Sequence, residues 1–388
     1  MTRRHLVLLP AGVALALALG SCGGPVEPVT GVILPATGRG ASYGKMIREG
    51  MDLALQQIND EGGVGGQPLR LIYKDSATDP ATGVAAAHQL VDDDHVASII
   101  GAVSSSVTRK ILAEVTDPAR VILLSPAASS PALTGRSVYF FRVHPSDVVE
   151  GGRMAELMTS ELHLHTLVVF AVHDEYGAGY KKALLDRFRR KKNREVLKVF
   201  NVGVAQSDFS DMVDDTAGLT PDAIYLIGYD QMVADVTRAL RKAGVAVPIF
   251  CSGSITDEFP ARAGVAAEGV VFSRPDFRAT GNLDEARRFT TTFMARYGRA
   301  PGNYAAYGYD AVRLLTQVMR QGHLDSRDML LALRSPATEY TGVTGNIVFG
   351  NAGGDVVAVP TIYIIRSGAA VPYARYLEEG GTPPGAGA

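Results

Sequence analysis

The chain has 388 residues, which at about 150 residues per domain allows two domains, each with its own core. Apolar residues make up 46% and charged residues 20%, which excludes a disordered, collagenous or coiled-coil chain. Lys+Arg 38 against Asp+Glu 40 gives a net charge of −2, without the basic excess that nucleic-acid binding calls for, and two cysteines cannot build a disulfide scaffold.

Arg3, Arg4 and His5 form a basic start, followed by a 14-residue apolar run from Leu6 to Leu19. As a helix that run rises about 21 Å, short of the roughly 30 Å hydrocarbon core, so it reads as an export signal rather than a membrane span. Leu19-Gly20-Ser21 sets small residues before Cys22 and resembles the bacterial lipobox. That resemblance implies cleavage of residues 1–21 and diacylglycerol attached to Cys22. Residues 22–30 would then be a Gly/Pro-rich tether, and Cys251 the one free thiol. The other reading is a plain secretory signal with an incidental cysteine. Thr2-Arg3-Arg4-His5-Leu6 also resembles a twin-arginine start, which leaves the export route open.

Strand and helix patterns then alternate. Val32-Ile33-Leu34 is a short buried strand, and Tyr43 to Asn59 a helix with Ile47, Met51, Ala54, Leu55 and Ile58 at helical spacing. Leu69–Tyr73 is a strand, Pro80–Val91 a helix, Val96–Val103 a strand, Val107–Val115 a helix and Val121–Leu124 a strand. The pattern restarts after Arg142-Val143-His144-Pro145. Helix Val148–Leu162, strand Thr166–Val172, helix Tyr180–Arg190, strands Val196–Val202 and Ala223–Ile227, helix Val233–Ala243 and strand Pro248–Cys251 follow. Helices Leu283–Tyr297, Tyr304–Met319 and Arg327–Leu333, a hairpin at Asn351–Asp355, and strand Thr361–Ile365 complete the chain, with a frayed tail over 378–388. Alternation at this spacing implies parallel sheets in two doubly wound α/β halves.

Gly38-Arg39-Gly40-Ala41-Ser42-Tyr43-Gly44 has the position of a dinucleotide-binding turn, but its spacing is GxGxxxG and the acid ending the next strand, Asp75, lies too far on. It reads as a glycine-rich turn. Ser42-Tyr43-Gly44-Lys45 matches SxxK, yet no Ser-Asp-Asn or Lys-Thr-Gly accompanies it. HExxH and CxxC are absent, His163 and His165 have no ligand cluster beside them, and the run Arg187–Arg194 reads as a solvated helix end. No catalytic residue, metal site or cofactor is expected. Ser104-Ser105-Ser106 and Ser125-Pro126-Ala127-Ala128-Ser129-Ser130 carry more information. Each follows a strand, where ligands of open α/β sheets bind, and hydroxyls with free N–H groups there suit a carboxylate. Ordinary capping explains either run alone equally well.

GRGASYG, GMDLALQQINDEGGVGGQPLRLIYKDSATDP, GAVSSSVT, LLSPAASSPALT, RVHPSDVVEG, FAVHDEYGAGY, DAIYLIGYD and ALRKAG, in this order and spacing, resemble the leucine/isoleucine/valine-binding protein family, the receptors of branched-chain amino acid ABC transporters. The resemblance implies two α/β lobes joined by three crossings. Lobe I would hold residues 31–146 and 277–348, and lobe II 147–276 and 349–377. It also implies that Ser105, Ala127 and Ser129 hold the ligand carboxylate, that Tyr43 and Val103 line the first lobe's wall, and that Tyr176 and Tyr229 seal the pocket from the second. Asp147 falls where the family often has an acid.

Two departures stand out. The cysteines that some members carry are replaced together, by Thr78 and Ser104. The family's acid for the ligand ammonium belongs near Ser252-Gly253-Ser254, where this chain has no carboxylate. Asp147, Asp230 and Asp257 are the candidates to replace it, Asp147 first, although that residue would serve equally well as a helix cap. Without such an acid the ligand would be a keto acid, an aromatic carboxylate or an amide. The expectation is an exported, lipid-anchored receptor that delivers a small carboxylated ligand to ABC permease subunits. A sensor of the same fold and an exported hydrolase are the rivals.

Overall fold

The computed structural model describes residues 27–385 apart from 276, 278–282, 350–352 and 357–358. The export signal, Cys22, and the Asn351-Ala352 part of the expected hairpin therefore lie outside the described residues.

Strands β1 (Val29–Leu34), β2 (Arg70–Asp75), β3 (Ser98–Gly101), β4 (Ile122–Ser125) and β5 (Phe140–Arg142) form a parallel sheet in the order β2-β1-β3-β4-β5. Strands β6 (Thr166–Val172), β7 (Glu195–Val202), β8 (Ala223–Ile227), β9 (Ile249–Cys251) and β10 (Val271–Arg274) repeat that order as β7-β6-β8-β9-β10. A small hairpin pairs β11 (Tyr340–Gly342) with β12 (Gly345–Ile347), and antiparallel β13 (Thr361–Arg366) and β14 (Ala369–Pro372) extend the second sheet. The chain thus forms two doubly wound lobes, each with its strand order reversing beside its first strand.

The helices in chain order are α1 (Ala41–Asp60), α2 (Pro80–His88), α3 (Ser105–Ile111), α4 (Asp117–Ala119), α5 (Asp147–Glu156), α6 (Glu175–Phe188) and α7 (Ser210–Leu219). They continue with α8 (Asp230–Lys242), α9 (Phe259–Ala263), α10 (Leu283–Tyr297), α11 (Asn303–Arg320), α12 (Ser326–Arg334) and α13 (Tyr373–Glu378). The period-2 pattern of the strands divides each core in two. Val32, Leu34, Ile100, Leu124 and Phe141 face α1 and α11, while Ile33, Ile99, Leu123 and Phe140 face α2 and α3. In the second lobe Leu167, Val169 and Ala171 face α5 and α6, and Val168 and Phe170 face α8. Ile47, Met51, Ala54 and Ile58 of α1 are fully buried, as their spacing predicts; each of the larger ones contributes roughly 1.5–3 kcal/mol. Glycines let α1 approach α11 closely. A Cβ on Gly50 would sit 1.9 Å from the Ala305 carbonyl oxygen, and one on Gly308 2.3 Å from that of Ile47.

The structure adds elements that the pattern did not yield. Strand β5 has three residues, too few to show a period, and α7 buries only Val213 and Thr216. Strand β10 ends in a charged residue, Arg274. A hairpin that the pattern did not yield lies at Tyr340–Ile347. Phe349 and Val356 pack in the first lobe's core, and Asp355 pairs with Arg142. Phe349, Asp355 and Val356 thus pack with the first lobe. Two crossings between the lobes lie between β5 and α5 and between β10 and α10. Beyond α13 the tail turns back, with the Tyr376 hydroxyl donating to the Thr382 carbonyl at 3.0 Å.

Candidate functional site

The carboxyl ends of β1, β3 and β4 in one lobe face those of β6, β8 and β9 in the other, and a cavity lies between them. Open α/β sheets bind ligands at this end, where the strand order reverses. All eight sequence-predicted ligand residues line it: Tyr43, Val103, Ser105, Ala127, Ser129, Asp147, Tyr176 and Tyr229. Ser104, Ser105 and Ser129 reach the cavity wall, whereas Ser106 and Ser130 do not. Ser106 bonds the neighbouring Ser104 hydroxyl at 2.9 Å, and fully buried Ser130 caps the short turn Pro131–Leu133.

Backbone close approach shapes both entrances. A Cβ on Gly44, in the first turn after β1, would sit 2.0 Å from the Pro35 carbonyl oxygen; one on Gly177, after β6, would sit 1.9 Å from that of Val172. The glycine-rich turn needs no dinucleotide. Asp75 is used up within it, its carboxylate accepting from Ala36 N at 2.8 Å, from the Thr37 hydroxyl at 2.6 Å and from Ala77 N at 2.8 Å. Thr78, one of the two cysteine replacements, accepts from Gly40 N at 2.9 Å and lines the cavity together with Ser104.

The lobes meet across the cavity. The Tyr43 hydroxyl donates to the Ser254 carbonyl at 3.0 Å and accepts from Asp230 N at 2.9 Å, so a first-lobe side chain is tied to two strand ends of the second. Arg109 and Glu175 form a further ion pair at 3.0 Å. The Tyr43 ring packs edge-on against Tyr229 at 6.2 Å and Tyr304 at 5.0 Å, and Tyr229 lies 5.6 Å from Tyr176. Tyr229 is aimed by its hydroxyl bond to Asp174, at 2.8 Å, which also caps α6. The result is a closed chamber with an aromatic wall.

Of the three acids considered for the missing carboxylate, only Asp147 lines this chamber. Asp230 accepts from Thr256 N at 2.7 Å and pairs with Arg262 at 2.9 Å, and Asp257 pairs with Arg274 at 2.6 Å. Nor does Asp147 cap a helix. Ser146 occupies the cap position of α5, and the buried Asp147 Oδ2 has no hydrogen-bond partner. Burial pushes its carboxyl up to about 7, with Ser129 and Arg142 pulling the other way.

Sequence reasoning missed Glu150, three residues on and on the same face of α5. Its Oε1 accepts from Gly253 N at 2.6 Å and from the Tyr180 hydroxyl at 2.7 Å. A carboxylate therefore reaches the Ser252-Gly253-Ser254 triplet after all, from a helix 103 residues away in the chain. Burial, then the neighbouring Asp147, pushes Glu150 up to about 8. His144, also on the wall, is driven down to about 4 by burial and stays neutral at pH 7. Its Nδ1–H donates to the Pro145 carbonyl at 2.9 Å. Among the described residues the lining contains no lysine or arginine, and Arg142, behind it, is committed elsewhere. Fully buried Arg142 holds Asp355 through two bonds of 2.7 and 2.8 Å and donates to the Ala128 and Ser130 carbonyls and the Thr134 hydroxyl. It thereby fixes the loop that presents Ala127 and Ser129.

Residues 30–369 match the profile of a family described as periplasmic binding protein. The chain is 30% identical over 273 residues to a Leu/Ile/Val-binding protein homolog from Brucella melitensis, covering 68% of this chain and 72% of that protein. It is 27% identical over 326 residues to a leucine-, isoleucine-, valine-, threonine-, and alanine-binding protein from Pseudomonas aeruginosa, covering 82% and 84%. The crystal structure of a leucine binding protein from Thermotoga maritima superposes with a TM-score of 0.81 at 25% identity, covering 89% of this chain and 97% of that one.

Proposed function

The chain belongs to the periplasmic binding protein family, beside the Leu/Ile/Val-binding proteins, and from that premise we propose that it is the extracytoplasmic receptor of an ABC importer, closing two lobes over an amino acid. Residues 31–146 with 277–356 make one lobe, and 147–276 with 359–377 the other. Ser105, Ala127 and Ser129 hold the ligand carboxylate, Asp147 meets its ammonium, Tyr43 and Val103 form the first lobe's wall, and Tyr176 and Tyr229 seal it.

One observation carries the choice of ligand. Among the described residues, the only carboxyl, lysine or arginine side chains lining the chamber are those of Asp147 and Glu150. An aromatic or keto acid would bring a further negative charge against two carboxyl groups, whereas an α-amino acid brings the ammonium that such a wall favours. The names of the relatives support the same class.

Adding L-leucine, L-isoleucine or L-valine to the free protein is expected to raise the melting temperature, since a ligand at 100 times its Kd adds about 2.7 kcal/mol. Small-angle scattering should show a smaller radius of gyration with the same ligand. A stabilising ligand that leaves the radius unchanged argues against lobe closure. Stabilisation by benzoate with none by any of the twenty amino acids overturns the ligand class.

The anchor rests on Cys22. Cys22→Ala should abolish labelling by a fatty-acid probe in the exporting cell and release the protein from the membrane. Labelling equal to that of the unaltered chain removes the lipoprotein reading and leaves the receptor reading intact.

A further inference from the structure

Two carboxyl groups one helical turn apart, both buried and both lining a chamber to which the described residues bring no lysine or arginine, do not both ionise readily. Asp147 is 2% exposed and Glu150 6%. The groups facing them do not relieve the repulsion. Tyr176 and Tyr180 from α6, Tyr225 from β8 and Tyr304 and Tyr307 from α11 are phenols that burial keeps protonated, and the thiol of Cys251 on β9 is likewise held protonated. His144 is neutral. Arg142 is occupied by Asp355, and Arg274 on β10 by Asp257. Asp147 Oδ2 is buried without a partner, which is how an atom waiting for one looks.

We propose that Asp147 and Glu150 act as one receptor for the ligand's cationic group, sharing a single proton in the empty site and releasing it to solvent when the ammonium enters. This rests on the amino-acid reading above and adds Glu150 to it. The balance is simple. One carboxylic acid and one carboxylate receive R–NH3+, the acid's O–H bond breaks, and the proton leaves to the buffer. The finished site then holds two carboxylates around one ammonium, with the second negative charge offset by the Gly253 N–H and the Tyr180 hydroxyl on Glu150.

The sign of the pH dependence follows. Where the empty pair carries a proton, binding competes with that proton and affinity climbs with pH, at most tenfold per unit. Above the pair's last titration the affinity levels off, until the ligand's own ammonium deprotonates. Glu150→Gln fixes this position in its uncharged form. Glutamine Oε1 still accepts from Gly253 N and Tyr180, so the fold is kept, and an unchanged melting temperature checks that.

The experiment is titration calorimetry with L-leucine at pH 6, 7, 8 and 9, each in two buffers of different ionisation enthalpy, for the unaltered protein and Glu150→Gln. The unaltered protein should release close to one proton per ligand at pH 7 and progressively fewer towards pH 9. Glu150→Gln should release fewer protons than the unaltered protein at each pH and bind at least tenfold more weakly at pH 8. Binding of leucine without proton release, or Glu150→Gln matching the unaltered protein at pH 8, overturns the pair while leaving the amino-acid reading standing. Binding of benzoate in place of every amino acid overturns that reading and, with it, the pair as a cation receptor. Infrared spectroscopy of the free protein needs no ligand: at pH 7 it should show a protonated carboxyl that Glu150→Gln removes, and its absence also overturns the proposal.

Discussion

Alanine at Ser105 or at Ser129 should weaken amino-acid binding roughly 10- to 150-fold, because each hydroxyl is assigned a charge-assisted bond to the ligand carboxylate, worth about 1.5–3 kcal/mol. The two positions should not behave alike. Ser105 Oγ accepts from Ser130 N at 3.3 Å, which leaves its proton free to point into the chamber. Ser129 also holds Asp147 towards its ionised form, so its loss removes a ligand contact and makes the acid harder to ionise. Ser129→Ala should therefore lose more at pH 6 than at pH 9, and Ser105→Ala should lose the same at both. Ser106→Ala, off the chamber wall, should bind within about twofold of the unaltered protein. Calorimetry on the three variants decides it. Equal losses at all three would mean that the chamber's register along α3 is misassigned.

Arg142→Met is expected to be the most destabilising single substitution in the molecule. Removing one partner of a buried ion pair typically costs about 3–5 kcal/mol, because the other charge stays behind. Among the described residues, Asp355 would then keep the Thr134 hydroxyl, at 2.7 Å. At about 2–4 °C per kcal/mol the melting temperature should fall by on the order of 10 °C. The Ala128 and Ser130 carbonyls lose their donor too, so affinity should fall with stability. Arg142→Met combined with Asp355→Leu should recover most of the loss, since exchanging a whole buried pair for apolar side chains is often close to neutral. Thermal denaturation of both variants tests it. A drop of less than 2 °C in the single variant would mean that water reaches Asp355.

The strand-end residues were legible because their function is local. A serine run that closely follows a buried strand sits at the carboxyl edge of the sheet whatever else the chain does, so Ser104–Ser106 and Ser125–Ser130 could be placed before any contact was known, and the family resemblance singled out Ser105, Ala127 and Ser129 within them. Glu150 could not. Its position on α5 marks it only as buried, and its meaning comes from packing that helix against the end of β9, far away in sequence. Arg142 was hidden for a related reason. Phe140–Arg142 is too short to show alternation, and an arginine closing it looks like a loop residue until Asp355 is brought beside it. Asp147 lay between these cases. Its sequence context allowed a cap or a site residue, and only the placement of Ser146 at the cap position separated them.

The hydroxyl of Tyr43 bears on timing. It lies on the seam between the lobes, so whatever occupies the chamber cannot leave until its bonds to Ser254 and Asp230 have broken. Two neutral hydrogen bonds at about 1 kcal/mol each lengthen the dwell of an occupant by roughly 30-fold, without touching the occupant at all. The half-buried Arg109–Glu175 pair adds to that, by less as salt rises. Residence time in this protein is thus set partly by a tyrosine that reads nothing of the cargo's charge, and a partner that pried the seam apart would empty the chamber without competing for the ligand.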